Sequence, residues 1–304
     1  MNRPTAPQLL LIALMATTVV ESTAVAARQE PPEPPAEPAG TSPEDPAPLH
    51  VVPHEEPATE EPAILLPAPA ADPARAFREG LAAVAEGKLP RALERLEAAV
   101  RAVPSDLRYS AEYRQAAIAA AAYDRSIAFF AALAAEHPEL AAVHLSRGYA
   151  YVDKIPAAGA ITQVILANTS LKHFSRALEL EETWLGRYTR GNAYVYWPAI
   201  FGRTPLGIED LERAIALTET LEWRSYHAKA WVALGDGHWR LEDLERARDI
   251  WREGLERYPD DLDLAARLEP ETDEELRAFL EVEYEIGQRV ATHLREIFRE
   301  DAPE

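Results

Sequence analysis

The sequence predicts an all-α chain, an α-solenoid of about five helix-turn-helix repeats closed by a C-terminal capping helix, and three observations carry that prediction. Residues 231–259, WVALGDGHWRLEDLERARDIWREGLERYP, place Trp231, Leu234-Gly235, His238, Ala247, Trp251, Gly254 and Pro259 at spacings that fit two antiparallel helices. Gly235 and Ala247 are small where the helices cross, Trp231, Leu234 and Trp251 are large where a core must be filled, and Pro259 stops the second helix. The spacing then recurs: Gly80 to Pro104 matches Gly235 to Pro259, Pro104 to Pro138 is 34 residues, and Gly80 to Gly148 is 68, or two periods. Finally, apolar residues keep helical spacing from residue 74 onward, where the proline density falls.

Ahead of the repeats, residues 1–27 carry Arg3, an apolar run from Leu9 to Val20 and the small-x-small site Ala24-Val25-Ala26. This pattern predicts a signal peptide cleaved after Ala26, or as a second choice after Ala27, and hence an exported protein, periplasmic or secreted. The apolar run falls short of the roughly 20 residues that span a bilayer, so no stable membrane span is expected after cleavage. Residues 28–73 hold fourteen prolines and ten acids against the single base Arg28. Proline removes amide donors and like charges repel, so a disordered acidic Pro-rich linker is expected. Within it, Ile64-Leu65-Leu66 is the one apolar place able to dock, on a partner or back on the solenoid, although a plain linker is the favoured reading.

The solenoid is expected over residues 74–260. Gly80, Ala83, Gly87, Ala92, Leu96, Ala99 and Pro104 mark the first repeat. In the second, Arg114 stands where glycine is expected and AAIAAAAYD replaces the usual turn, while Phe130 and Pro138 stay in register. Its alanines predict close helix packing. The third repeat has His144, Gly148, Tyr151, Phe174 and Ala177, with about ten additional residues between its helices. The fourth has Trp184, Gly191, Asn192, Tyr194, Leu211 and Ala214, with about four. Such insertions are expected as loops on one face. Residues 261–304 are expected to form the capping helix and tail: Thr272 with Glu275 makes a capping box, and Leu276, Phe279, Leu280, Tyr284, Ile286, Val290, Leu294 and Ile297 make one apolar stripe.

The stretch Trp231 to Pro259 resembles the tetratricopeptide repeat family, with His238 in place of one aromatic. The resemblance implies that each repeat's first helix lines a concave groove that binds a protein or peptide partner. Counting from the glycine, it places Tyr149, Val152 and Asp153 there from the third repeat, Tyr188, Asn192, Val195 and Tyr196 from the fourth, and Lys229, Val232, Asp236, Trp239 and Arg240 from the fifth. Aromatic rings dotted with hydrogen-bonding groups suit a peptide or a helix. Some members clamp a chaperone's terminal carboxylate with Lys and Asn. Here Asn192 is in place, but Tyr188 stands for the lysine and Asp236 occupies the fifth repeat's equivalent position, so that reading is rejected.

The two insertions hold Lys154, Ile155, Pro156, Asn168 and Thr169, and Trp197, Pro198, Phe201, Gly202 and Arg203. Apolar rings beside Pro and Gly must be buried against each other or a ligand. The alternative function is therefore a periplasmic protein that binds a small apolar ligand in a pocket between the inserts, with Tyr196 and Arg203 lining it.

Chemistry of other kinds is not expected. The chain has no cysteine, which excludes disulfides, thiolate nucleophiles and cysteine-bound metals. A net charge of -20 argues against nucleic acid, whose phosphates reward bases. No GxSxG, HExxH or phosphate-loop pattern occurs. His144 and His238 stand at aromatic core positions. The expected protein is a scaffold or adaptor for an envelope or secreted partner, without cofactor, metal or enzymatic activity.

Overall fold

The computed structural model describes residues 66–197, 201–284 and 292–300, which form thirteen α-helices and no strand. The signal segment, the linker as far as residue 65, Pro198, Ile286 and Val290 lie outside the described residues.

Five hairpins follow one another: α1 (Pro73–Ala85) with α2 (Leu89–Ala102), α3 (Leu107–Ala119) with α4 (Tyr123–Glu136), α5 (Ala141–Lys154) with α6 (Ala160–Leu180), α7 (Trp184–Val195) with α8 (Thr204–Leu217), and α9 (Ala228–Arg240) with α10 (Leu244–Arg257). Local chemistry starts them where it should. Asp72, Asp106, Thr183, Asp243 and Asp261 each accept first-turn amide hydrogen bonds at helix N-termini, satisfying donors that have no partner inside the helix.

The glycine register explains the pairing. A Cβ on Gly235 would lie 2.1 Å from Trp251 Nε1, and one on Gly148 would lie 2.4 Å from the Phe174 ring. Only a bare backbone admits those rings. Gly80 with Leu96 and Gly235 with Trp251 are sixteen residues apart, Gly148 with Phe174 ten more than that, and Gly191 with Leu211 four more. The insertions are thus absorbed while the crossing contact is kept.

Repeat 2 departs from this plan. The close packing expected from its alanines is not found: α3 and α4 meet over only a short stretch, whereas α9 and α10 pack along their length. Arg114 replaces the glycine, and the space is filled by Tyr113, Phe129 and Phe130, whose rings contact one another at 4.9 to 5.8 Å between centroids. The turn itself is conventional. Ala121 takes the left-handed conformation (φ 50°) that Gly87 (φ 71°) and Glu242 (φ 62°) take in repeats 1 and 5.

Three further expectations need correction. Most of the third repeat's insertion is not a loop: after a single 3-10 turn at Ile155–Ala157 it extends the N-terminal end of α6, a helix of 21 residues. The linker does not run undocked to residue 73, because Leu66 is buried in the first core, Arg101 donates to the carbonyls of Leu66 and Pro67, and the Ala70 amide donates to Ala98 O at 3.0 Å. The apolar stripe beyond residue 272 is not one long helix. After the short α11 (Leu262–Leu268), α12 (Asp273–Glu283) carries the capping box and covers repeat 5 with Leu276 and Leu280, while Leu294 (φ 53°) turns the chain into a separate α13 (Arg295–Glu300). A single helix rising 1.5 Å per residue would carry Ile297 about 30 Å beyond Leu276, away from the apolar surface it covers.

Candidate functional site

The first helices α3, α5, α7 and α9 present a common set of aromatic and charged side chains, and two pieces of the chain's own end lie on them. Tyr284 stacks on Tyr196 (4.6 Å between centroids) and tilts against Trp239 (5.0 Å), with the Arg240 guanidinium 5.8 Å from its ring. Asp236 beneath is buried and accepts two hydrogen bonds from Arg267, at 2.6 and 2.9 Å. Burial, reinforced by the Asp236 charge, pushes the Tyr284 hydroxyl well above the ordinary phenol range and keeps it protonated.

Residues 292–298 cross α3, α5, α7 and α9. The Thr292 hydroxyl donates to Asp153, and its carbonyl accepts from Arg114 at 2.7 Å. Arg114 also pairs with Asp153 at 2.9 Å, both side chains being enclosed, and lies 4.7 Å over the Tyr149 ring. Tyr149 meets Thr189 through its hydroxyl, and burial raises its pKa. Leu294 packs on the cluster of Leu145, Tyr149 and Trp197. Ile297 is buried with Trp184 and Ala230 beside Tyr188, whose ring stacks on Trp184 at 5.1 Å. At the rim, Arg295 pairs with Glu112 and Glu296 with Lys229. Burial works against the Lys229 charge, but Tyr188 and Glu296 outweigh it and raise its pKa.

The inserts meet each other. Arg203 donates to Asn168 Oδ1 at 2.9 Å and covers the Trp197 ring at 4.3 Å, Phe201 meets the edge of that ring at 6.0 Å, and Arg240 donates to the Trp197 carbonyl. Trp197 is buried and Phe201 half exposed. The indole is covered by its neighbours, an arrangement that does not favour a small-ligand pocket. A cavity of about 390 Å³ lies instead between Trp223, Tyr226, Lys229, Leu262 and Glu296, and no insert residue lines it. Lys154 points elsewhere, to Asp124 on α4, and Asn192 is half-buried on α7.

The sequence profile of the tetratricopeptide repeat matches residues 228–268, the stretch that holds α9, α10 and α11. Residues 228–268 thus hold a tetratricopeptide repeat. Among solved structures, the array is similar to a thermophilic tetratricopeptide protein of Thermus thermophilus (21% identity, 65% of this chain and 97% of that one, TM-score 0.47). It is also similar to one from Parabacteroides merdae (15%, 76% and 80%, 0.45) and to the MamA protein (13%, 66% and 97%, 0.42). No curated protein sequence matches the chain. The tetratricopeptide fold is that of a protein-interaction scaffold, typically without catalysis.

Within this array of hairpins the predicted site residues other than Lys154 and Asn192 fall into three groups. Tyr196, Asp236, Trp239 and Arg240 surround Tyr284; Tyr149, Asp153 and Tyr188 belong with residues 292–298; Trp197, Phe201 and Arg203 join the inserts. Sequence reasoning missed Arg114, Thr189 and Trp184 on this face. The signal for Arg114 was present: a cation at a position that packing reserves for glycine needs an acid to meet. Among the described residues, no group of three or more His, Asp or Glu is placed to hold a metal, and no helix is long and apolar enough to cross a membrane.

Proposed function

We propose that the protein is an exported, non-catalytic scaffold that binds a segment of another envelope or secreted protein in the groove formed by α3, α5, α7 and α9, with the inserts of repeats 3 and 4 at its edge. One observation carries the reading: these four helices hold a peptide segment, residues 292–298, through side chains of every kind that peptide recognition uses. They offer aromatic faces (Trp184, Tyr188), an enclosed acid and base (Asp153, Arg114) and rim charges of both signs (Lys229, Glu112). The export part rests on the leader pattern of residues 1–27.

A photo-crosslinking residue in place of Asn192, in the native host, is expected to capture a protein partner. The same group in place of Arg252, on the exposed side of α10, is expected to capture none. Equal capture at both positions, or none at either, sinks the groove assignment. Export is checked on the same material: the mature chain is expected to begin at Ala27 or Arg28, and an intact Met1 in the cytoplasmic fraction would overturn it.

A further inference from the structure

We propose that residues 292–298 are a built-in ligand that occupies the groove in cis, and that the partner displaces them with a segment of the same chemistry. This inference rests on the groove reading above and specifies both its partner and its regulation.

The contacts have the character of ligand binding. Among the described residues, helix α13 packs closely along no other helix. The segment is held instead by side-chain tips: Thr292 on Asp153 and Arg114, Leu294 on the cluster around Trp197, Ile297 on Trp184 and Ala230, and Arg295 and Glu296 on Glu112 and Lys229. Beneath it the scaffold is complete. Arg114 and Asp153 pair with each other, and Leu276 and Leu280 on α12 already close the last repeat. Removing the segment therefore opens an aromatic face, uncovering Trp184 and Ala230 where Ile297 is buried, while Arg114 and Asp153 stay paired with each other.

The cis ligand also describes its competitor. It begins non-helical with a hydroxyl that reaches an enclosed carboxylate and with the apolar Leu294. It then enters the short α13, which carries a carboxylate that meets Lys229 and a second large apolar residue, Ile297, three positions after the first. The matching partner is a protein segment of the form hydroxyl-x-apolar-x-acid-apolar, non-helical at its start and helical at its end. It has room to gain on the cis segment. The cavity beside Glu296 is lined by Trp223 and Leu262, which are 60% and 81% exposed, so a longer segment covers apolar surface that residues 292–298 leave open.

The test uses full-length protein and a fluorescent peptide of residues 290–300. Fluorescence anisotropy is expected to show the Leu294→Asp/Ile297→Asp variant binding this peptide at least tenfold more tightly than the unaltered chain. Trp184→Ala added to that variant should abolish the gain. Equal affinity for both chains overturns the proposal, as does no binding by a variant whose circular dichroism shows it folded. Should the double variant not fold, Arg295→Glu/Glu296→Arg reverses only exposed rim charges and is expected to raise peptide affinity about threefold; no change overturns the proposal. Light scattering supplies another arm: a dimer that the Leu294→Asp/Ile297→Asp change dissociates would mean that the segment is exchanged between copies, which also overturns it. The Asn192 crosslink separates this idea from the groove reading. A partner captured equally by the unaltered and opened chains defeats the cis ligand and leaves the scaffold standing, whereas peptide binding by the opened chain with no partner captured anywhere does the reverse.

Discussion

In repeat 5 the two helices close on a glycine, and the Trp251 ring lies against bare backbone with its indole donating to Val232 O at 3.2 Å. In repeat 2 the same position holds Arg114, the helices stand apart, and the arginine reaches out of its own hairpin to Asp153, 39 residues on, and to the Thr292 carbonyl, 178 residues on. The first arrangement is self-contained; the second makes one repeat depend on its neighbour and on the far end of the chain. A solenoid is held by nearest-neighbour interfaces, and at the crossing position repeat 2 uses an enclosed ion pair to its neighbour where repeat 5 packs a ring on glycine.

Breaking the electrostatic side should have the largest effect. Arg114→Met leaves Asp153 enclosed without its cation and is expected to cost about 3–5 kcal/mol in denaturant unfolding, while Arg114→Met with Asp153→Leu recovers most of the loss. An undiminished defect in the double variant would show that the pair is not what the repeat depends on. Breaking the steric side comes next. Gly235→Ala puts a methyl 2.1 Å from Trp251 Nε1 and is expected to cost about 1–3 kcal/mol, because the enclosed ring must shift. A melting temperature equal to that of the unaltered protein would refute it.

Repeat 3 combines the two plans, with Gly148 at the crossing and a titratable His173 stacked on Tyr151 at 5.4 Å. Burial, with the nearby Arg147 charge, brings the His173 pKa down to about 3. The unfolded chain, titrating near the ordinary value of about 6.5, binds more protons across this window. His173 therefore leaves stability untouched above pH 6.5 and lowers it progressively as pH falls toward 3, by about 1–2 kcal/mol at pH 5. His173→Gln should flatten the unfolding free energy over that range, and an unchanged slope would exclude the assignment. The smallest effect is at the turn. Ala121→Gly relieves a left-handed alanine (φ 50°) and is expected to stabilise repeat 2 by about 0.5–1 kcal/mol, measured by the denaturation midpoint.

What the chain discloses before folding follows the range of each interaction. The glycine crossings lie within one hairpin, so they are readable from Gly80 to Trp251, sixteen residues apart in repeats 1 and 5 and lengthened only by the insertions in repeats 3 and 4. The Thr272 capping box is local and was equally legible. The Arg114–Asp153 pair joins different repeats, and no fixed spacing announces it. The stripe from Leu276 to Ile297 keeps one helical period although its two ends cover different cores, because periodicity reports which face is apolar and not what the face meets. Tyr196, Trp239 and Arg240 were placed by register on the first-helix face; their neighbour Tyr284 came from the segment read as a cap.

The ion pairs around residues 292–298 differ in how far water reaches them. Arg114 and Asp153 are 1% and 4% exposed, whereas Arg295 and Glu296 are 57% and 52% exposed. Mobile ions screen open charges beyond about 8 Å at physiological ionic strength and barely affect enclosed ones. Salt therefore loosens the rim of this contact while leaving its floor intact, and salts excluded from protein surfaces tighten the apolar part. At equal ionic strength the two salts screen the rim alike, so sulfate should hold the segment on α3, α5, α7 and α9 more firmly than chloride does.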